Sequence, residues 1–368
     1  MNMNMNTYKL LTPGPLTTTE TVKSEMMVDH CTWDDDYKEI TQKIRKDLLA
    51  LANLSEEDYT VVLMQGSGTF GVESVVTSAV GNGDKILVCV NGAYGSRMVQ
   101  IAKQAGKNTV VYEENYDKVP DAQKVKQMLE EDPAITHVGI IHSETTSGIL
   151  NDIAAVGKVV KELGRTFIVD GMSSFGGVEI DIAGIGIDFI ISSANKCVQG
   201  VPGFSYIICK RTELKKCEGK SMSLSLDLYD QWLTMEKDGK WRFTSPTHVV
   251  LAFAKAMEEL KAEGGIVARA RRYKANNQRL IERMKAMGVN PYIDGENQGP
   301  IITTFFYPEN KNFCFEEMYK YIKERGYAIY PGKVTDADTF RIGNIGEIYL
   351  EDIDRVCDIF EEFFKIKM

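Results

Sequence analysis

The sequence feature that most constrains the fold is an alternation of apolar runs and helix-like segments that begins at residue 60. Short runs rich in β-branched residues, which are typical of buried parallel strands, occur at 60–64, 85–90, 109–112, 137–142, 166–169, 188–192 and 204–209. The segments that connect the first five runs, at 68–80, 94–105, 121–131 and 152–163, are long enough for crossover helices. This alternation predicts an α/β protein whose main sheet is doubly wound and mostly parallel.

One connection departs from this pattern. Between residues 192 and 204 the chain is too short, and too rich in glycine and proline, to hold a crossover helix. We therefore expect the run at 204–209 to lie antiparallel to its neighbours, which would make the sheet mixed.

The composition of the chain changes near residue 249. The segment 249–263 has the pattern of an amphipathic helix, and a basic helical segment follows Gly264 and Gly265 and ends near Met287. Beyond it, strand-like runs at 301–307 and 339–342 alternate with helical segments at 314–324 and 351–364. We expect an N-terminal segment at 1–18, a large α/β domain at 19–254 and a smaller α+β domain at 255–368.

Charge and composition argue against several classes of function. The formal net charge is −9 and no cluster of lysine and arginine stands out, so we expect no nucleic-acid partner. No apolar run approaches the roughly 20 residues of a membrane span, and the first ten residues lack the apolar core of a signal peptide. Seven cysteines without a C-x-x-C motif predict reduced thiols in a cytoplasmic protein, and four histidines without ligand spacing predict no metal site.

Two charged residues follow neighbouring strands of the predicted sheet. The run at 166–169 ends in Asp170, and the run at 188–192 leads through two serines to Lys196. Open α/β sheets bind ligands outside the carboxyl ends of their strands, so these side chains would share one crevice. A carboxylate beside an amine suits pyridoxal phosphate (PLP), whose aldehyde reacts with a lysine and whose ring nitrogen pairs with an aspartate. Taken alone, such a pair is more commonly a turn cap and a solvated charge.

A glycine-rich turn follows the first predicted strand. Gly66, Ser67, Gly68 and Thr69 open the helix predicted at 68–80, where backbone N–H groups and the helix dipole would favour a phosphate. A serine N-cap on an ordinary strand-to-helix turn would have the same sequence. The turn does not match G-x-G-x-x-G and no Walker lysine follows, so nucleotide binding is disfavoured.

Three further strand ends carry residues of compatible chemistry. Tyr94 opens a helix after the run at 85–90 and could stack on a cofactor ring, or simply pack there. The segment 142–148 places several hydroxyl groups after another strand, although such residues are also common in turns. Arg341 lies in an apolar strand-like run, where it must bind an anion or form a structural ion pair. Together with Asp170 and Lys196, these features favour the interpretation that the strand ends form a functional site.

The same motifs carry a family resemblance. The segments 12–15, 66–69, 144–148, 169–170 and 195–196 occur in the order found in class V aminotransferases of PLP fold type I, and the chain resembles that class over nearly its whole length. Further segments at 33–36, 193–204 and 242–247, of which the last two are long, carry a closer match to one activity within the class. The resemblance implies a large PLP-binding domain with a mixed, mostly parallel sheet and a smaller α+β C-terminal domain.

The resemblance assigns roles to the candidate residues. It implies that Lys196 is the catalytic Schiff-base lysine and that Asp170 pairs with the pyridinium nitrogen. Tyr94 would stack on the ring, where related enzymes carry tryptophan or histidine. The remaining cofactor contacts would come from Ser67, Gly68 and Thr69 at the phosphate and from Thr145 and Asn195 at the polar edge of the ring.

Two more roles concern the partner subunit and the substrate. The resemblance implies that Thr244 reaches the cofactor phosphate of the other subunit, and therefore that the protein is a homodimer. Arg341 would hold the anionic end of the substrate. The implied reaction is transfer of the amino group of 2-aminoethylphosphonate to pyruvate, which gives phosphonoacetaldehyde and L-alanine.

Three alternatives stay open at this point. Another class V transaminase, of the alanine– or serine–glyoxylate type, would use the same residues with a different pocket. A class V lyase of the cysteine desulfurase type would need a cysteine nucleophile on a loop, and Cys217 is the only candidate, in a context that does not resemble that motif. A binding protein without catalytic activity is disfavoured by the intact pair of Asp170 and Lys196.

Overall fold

The computed structural model describes residues 8–367 of the chain. The helices are α1 Glu20–Ser24, α2 Asp35–Leu51, α3 Gly68–Ala79, α4 Ala93–Gln104, α5 Ala122–Glu131, α6 Ile153–Glu162, α7 Ile182–Ile185, α8 Arg211–Lys215, α9 Leu228–Asp238, α10 Thr247–Glu263, α11 Gly265–Ala286, α12 Phe315–Glu324 and α13 Leu350–Lys367. The strands are β1 Lys9–Leu10, β2 Tyr59–Gln65, β3 Lys85–Val90, β4 Asn108–Glu113, β5 His137–Ile141, β6 Ser143–Glu144, β7 Ile149–Leu150, β8 Thr166–Asp170, β9 Phe189–Ser193, β10 Phe204–Lys210, β11 Ile302–Phe306, β12 Tyr327–Ala328, β13 Tyr330–Pro331 and β14 Thr339–Gly343.

The main sheet has seven strands in the order β2-β10-β9-β8-β5-β3-β4. Strand β10 is antiparallel to both of its neighbours, whereas β3, β4, β5, β8 and β9 pair in parallel. The segment between β9 and β10 reverses direction in a tight turn, in which the backbone N–H of Gly200 donates to the carbonyl of Ala194 at 2.9 Å. The predicted mixed sheet and the antiparallel direction of the run at 204–209 are confirmed.

Apart from the edge strand β4, the strands of this sheet are almost wholly buried, because helices cover both faces of a doubly wound sheet. Val88, Ile140, Ile168, Ile190 and Ile207 are each at most 1% exposed. Neighbouring strands β8 and β9 run in parallel with Asp170 opposite Ile191, so their carboxyl ends lie side by side. This arrangement brings Asp170 and the segment after Ser193 to one edge of the sheet.

A second apolar cluster lies around a three-stranded sheet of order β11-β14-β13 and helices α11, α12 and α13. Leu11 belongs to this cluster, and β1 pairs in parallel with β12, so the N-terminal segment packs against the C-terminal part of the chain. The predicted boundary at 254/255 falls inside α10, whose apolar residues up to Leu260 pack in the first cluster. The division into domains stays a prediction.

Three findings bear on the functions considered above. Among residues 8–367 no helix combines the length and apolar composition needed to cross a membrane. The same residues contain no group of three or more histidine, cysteine, aspartate or glutamate side chains placed to hold a metal ion. All seven cysteines carry free thiols, and Cys217 is buried.

Candidate active site

A cavity of about 280 Å³ lies at the carboxyl ends of the main-sheet strands. It forms where β2, β8 and β9 end and where α3 and α4 begin. Eight of the ten predicted site residues line it, namely Ser67, Gly68, Thr69, Tyr94, Thr145, Asp170, Asn195 and Lys196. The structure thus brings together residues that are up to about 130 positions apart in the sequence.

Asp170 is the last residue of β8 and is only 6% exposed. Its Oδ1 accepts a hydrogen bond from the backbone N–H of Met172 at 2.8 Å, and no ion pair engages it within residues 8–367. Burial raises the pKa of this carboxyl to about 6, because a charged group is poorly solvated in the protein interior. A cation placed beside Asp170, such as a protonated ring nitrogen, would oppose this effect and keep the carboxylate ionised.

Lys196 lies in the turn after β9, and its side chain crosses the cavity toward the N-terminal segment. Its Nζ donates a hydrogen bond to the carbonyl oxygen of Pro13 at 2.6 Å. Burial lowers the pKa of this amine, which favours the neutral form that a nucleophile requires. A Cβ atom on Gly14, whose φ is +119°, would lie 2.7 Å from Lys196 Cδ, so glycine leaves the space that the lysine occupies.

The start of α3 supplies a site for an anion. Ser67 is the N-cap residue, but its side chain makes no capping hydrogen bond. The positive end of the helix dipole therefore faces the cavity without a hydrogen bond from the Ser67 hydroxyl. Gly68 packs so closely that a Cβ atom there would lie 2.2 Å from the sulfur of Met172. Arg97 adds a guanidinium group beside the turn, since its Nη1 donates to Thr69 Oγ1 at 3.4 Å.

Glu144 positions the start of α4. Its fully buried carboxylate accepts hydrogen bonds from the backbone N–H groups of Tyr94 at 3.1 Å and Gly95 at 3.2 Å. The other carboxylate oxygen accepts from the backbone and the hydroxyl of Thr146, at 3.1 and 2.6 Å. Burial raises the pKa of Glu144, although these four donors oppose that effect. Glu144 therefore caps the helix that presents Tyr94 to the cavity.

Tyr94 stands among positive charges. Burial by itself would raise the pKa of its hydroxyl, but the charges of Lys196 and Lys333, with a hydrogen bond to Thr145, lower that pKa overall. The side chains of Lys333 and Arg97 also lie over its ring, with Nζ at 4.3 Å and Cζ at 5.0 Å from the ring centroid.

Two predicted site residues lie outside the lining of this cavity. Arg341, on β14, donates from Nε to the carbonyl of Pro331 and from Nη1 to the carbonyl of Thr145, both at 3.0 Å, and burial lowers its pKa. Arg341 therefore contacts Thr145, which lines the cavity, but does not line the cavity itself. Thr244 is exposed, accepts a hydrogen bond from Gln65 at its carbonyl, and lines a separate surface cavity of about 380 Å³.

Sequence reasoning missed several lining residues. Arg97 follows Tyr94 by three positions on α4, a helical spacing that could have pointed to it. Ser143 and Ser193 also line the cavity, and the buried Oγ of Ser143 has no hydrogen-bond partner among the described residues. The Ser143 hydroxyl, which has no described hydrogen-bond partner, and the Asp170 carboxylate, which has no described ion pair, are polar groups that a ligand would satisfy.

The cavity can be compared with PLP, the cofactor that the sequence implies. PLP combines a phosphate, an aldehyde and a ring nitrogen that can carry a proton. The cavity offers a helix N-terminus with Arg97 for the phosphate and the amine of Lys196 for the aldehyde. The carboxylate of Asp170, which has no ion pair among residues 8–367, would pair with the ring nitrogen. The residues present fit the group.

The fold agrees with the comparison to known protein families. The family described as class V aminotransferases matches residues 22–341, and the chain belongs to this family. A solved structure of ureidoglycine–glyoxylate aminotransferase from Bacillus subtilis has the same fold, with a TM-score of 0.90 at 20% identity. The match covers 100% of this chain and 95% of that chain. The predicted fold class, PLP fold type I with a mixed, mostly parallel sheet, is confirmed.

Relatives with much higher identity carry one name. A 2-aminoethylphosphonate–pyruvate transaminase from Lysinibacillus sphaericus is 58% identical over 363 residues, which cover 99% of both chains. A protein of the same name from Bacillus cytotoxicus is 54% identical over 361 residues, covering 98% of this chain and 99% of the relative. The similarity thus extends over the full length of these relatives.

Proposed function

We propose that this protein is a PLP-dependent aminotransferase that converts 2-aminoethylphosphonate and pyruvate to phosphonoacetaldehyde and L-alanine. The single observation that carries the proposed chemistry is that Asp170 and Lys196 line one cavity at the carboxyl ends of β8 and β9. The choice of substrates is supported by the names of relatives that are 54–58% identical over nearly the whole chain.

Each residue of the cavity would have a separate role in cofactor binding or proton transfer. PLP, when bound, supplies an aldehyde that takes up the amino group and a ring that withdraws electrons from the substrate carbon. Asp170 would keep the ring nitrogen protonated, and the buried amine of Lys196 would hold and release the proton that moves at the reacting carbon. Ser67, Gly68 and Thr69, with Arg97, would bind the phosphate.

Three side chains would orient the ring. Tyr94 would contribute a stacking face, and the polar groups of Thr145 and Asn195 would lie at the edge of the cofactor. Because Glu144 caps α4 at Tyr94 and Gly95, the position of the tyrosine depends on that buried carboxylate.

Arg341 would bind the anionic end of the substrate. The hydrogen bonds described for its guanidinium use Nε and Nη1, so Nη2 is available for a phosphonate or carboxylate oxygen. We also propose a cytoplasmic homodimer in which Thr244 contributes to the cofactor phosphate site of the partner subunit. The exposure of Thr244 on the surface is compatible with that role.

The proposal is tested with a panel of amine donors and pyruvate, by following formation of alanine. We expect 2-aminoethylphosphonate to react much faster than serine or 4-aminobutyrate, and the Lys196→Ala variant to form no alanine and to lose the visible absorbance of the bound cofactor. Preference for serine or alanine with glyoxylate would instead favour the alternative class V transaminase. Full activity of Lys196→Ala would contradict the assigned chemistry.

A further inference from the structure

Lys333 lies close to the cavity but has no role in the chemistry proposed so far. It follows β13 in the segment that leads to β14, the strand that carries Arg341. The register of this hairpin places Tyr330 opposite Arg341, so the lysine and the arginine belong to one short structural unit. The Lys333 Nζ lies 4.3 Å from the centroid of the Tyr94 ring, and Tyr94 lines the cavity, so the ammonium group lies next to a cavity residue.

The charge of Lys333 is not neutralised by a carboxylate. Within residues 8–367 no ion pair or hydrogen bond is described for it, although most lysines and arginines near the cavity have such partners or donate to carbonyl groups. Aspartates occur in the same loop, but Asp336 accepts its hydrogen bond from the Tyr292 hydroxyl at 2.9 Å. The buried acid on the Tyr94 side, Glu144, is occupied by four donors.

Arg341 approaches the same tyrosine from the same hairpin. The positive charges of Lys333 and Arg341 both act on the Tyr94 hydroxyl. Arg341 has an unused Nη2, and Lys333 has three N–H donors without a described acceptor. A carboxylate carries one negative charge and is matched by one guanidinium group. A fully ionised phosphonate carries two charges and three acceptor oxygens, and its transfer into a site with little water is costly unless both charges are paired.

We propose that Lys333 is a specificity-determining residue, which together with Arg341 forms a two-cation clamp for amines whose far end carries two negative charges. This inference rests on the proposed function and adds the reason why a phosphonate would be chosen over a carboxylate of the same length. The contrasting possibility is that Lys333 only supports the Tyr94 ring through a cation–π contact. In that case its loss would affect all donors equally.

The test compares two donors that differ only in the anionic group. 2-Aminoethylphosphonate and β-alanine have the same two-carbon spacing between the amine and the anion, but two charges and one charge respectively. In the Lys333→Gln variant, we expect the KM for the phosphonate to rise roughly ten-fold with kcat nearly unchanged. The kcat/KM for β-alanine should change by less than about two-fold, and Lys333→Arg should keep most of the phosphonate preference.

A binding measurement provides a readout that does not depend on turnover. Titration calorimetry with ethylphosphonate and propionate, at a pH where the phosphonate is doubly ionised, should show that Lys333→Gln weakens only phosphonate binding. Lys274→Gln is the matched control, because Lys274 is an exposed lysine on α11. Equal losses for both anions, or unchanged binding of both, would overturn the inference. If the unaltered protein used neither donor, the proposed function would fail, and the calorimetry would still decide the role of Lys333.

Discussion

At the scale of single residues, the site depends on Asp170 and Lys196, two groups whose pKa values differ from their ordinary values. Burial raises the pKa of Asp170 to about 6 and lowers the pKa of Lys196. Both effects favour the neutral forms, which cost less in an environment of low polarity. The cofactor that fits the cavity would reverse this preference at Asp170 by supplying a cation.

The first prediction concerns Asp170→Asn in the cofactor-free protein. A carboxyl whose pKa is higher in the folded state, about 6 against 3.8, binds more protons when folded, so its contribution to stability falls as the pH rises between these values. The amide carries no charge but can still accept the Met172 N–H. We therefore expect Asp170→Asn to be more stable than the unaltered protein above pH 6, by about 3 kcal/mol at most, and equally stable below pH 4.

Urea denaturation of both proteins at two pH values measures this difference. The exposed Asp117 supplies the control, since Asp117→Asn should unfold like the unaltered protein. With cofactor bound the order should reverse, and turnover should fall by roughly 10²-fold, because the ring nitrogen loses its charged partner. A variant that is less stable than the unaltered protein at pH 8 without cofactor would show that Asp170 is already paired by other groups.

At the scale of secondary-structure elements, the cavity is built from helix ends and short turns. Helix α3 offers its N-terminus to a ligand, whereas the N-terminus of α4 is capped by Glu144 from the strand β6 across the cavity. The N-terminus of α3 can thus bind an anion, whereas the N-terminus of α4 is bound by a carboxylate of the protein itself. Gly92 makes the capping contact possible, because a Cβ atom there would lie 2.4 Å from the carboxyl carbon of Glu144.

The second prediction addresses this cap. Glu144→Gln leaves a single acceptor oxygen and places an NH₂ group against backbone donors, so several of the four hydrogen bonds are lost. We expect the variant to be destabilised by about 2–3 kcal/mol in urea unfolding, and to bind the cofactor more weakly because Tyr94 is no longer held. Glu113→Gln, at the exposed end of β4, is the matched control and should unfold like the unaltered protein. Unaltered stability of Glu144→Gln would mean that α4 does not need this cap.

At the scale of the whole molecule, one surface remains without a described partner. Trp33, Leu224 and Phe243 are exposed by 70%, 72% and 39%, respectively. They lie near one another and near Thr244, because Lys240 contacts Trp33 and Arg242 contacts both Leu224 and Phe243. Exposed apolar side chains in one region are typical of protein–protein interfaces, and a second copy of the chain is the partner that the family resemblance implies.

The third prediction tests this assembly by complementation. If Thr244 serves the phosphate site of the other subunit, Thr244→Arg should inactivate the homodimer, and Lys196→Ala should inactivate it for a different reason. Subunit exchange between the two variants would then create dimers with one intact site, and alanine formation should recover to at most about half of the original specific activity per mixed dimer. Sedimentation measurements check that all proteins are dimers. No recovery after demonstrated exchange would place Thr244 in its own subunit's site.

The alternation of strands and helices that forms the main sheet could be read directly from the sequence. Alternating apolar runs, the length of the connections and the turn residues are local features, and they predicted both the parallel sheet and the reversed strand β10. The positions of Asp170 and Lys196 in one cavity also followed, because side chains at the ends of adjacent parallel strands must lie close together.

The tertiary structure alone decided the contacts between distant segments. The capping of α4 by Glu144, the pairing of β1 with β12 and the approach of Lys333 to Tyr94 join residues that are about 50 to 320 positions apart. The hydrogen bond from Arg341 to the carbonyl of Thr145, a residue that lines the cavity, likewise joins residues far apart in the sequence. No periodic pattern or turn signal encodes such contacts, because they depend on how completed elements pack against each other and not on the conformation of the chain near each residue.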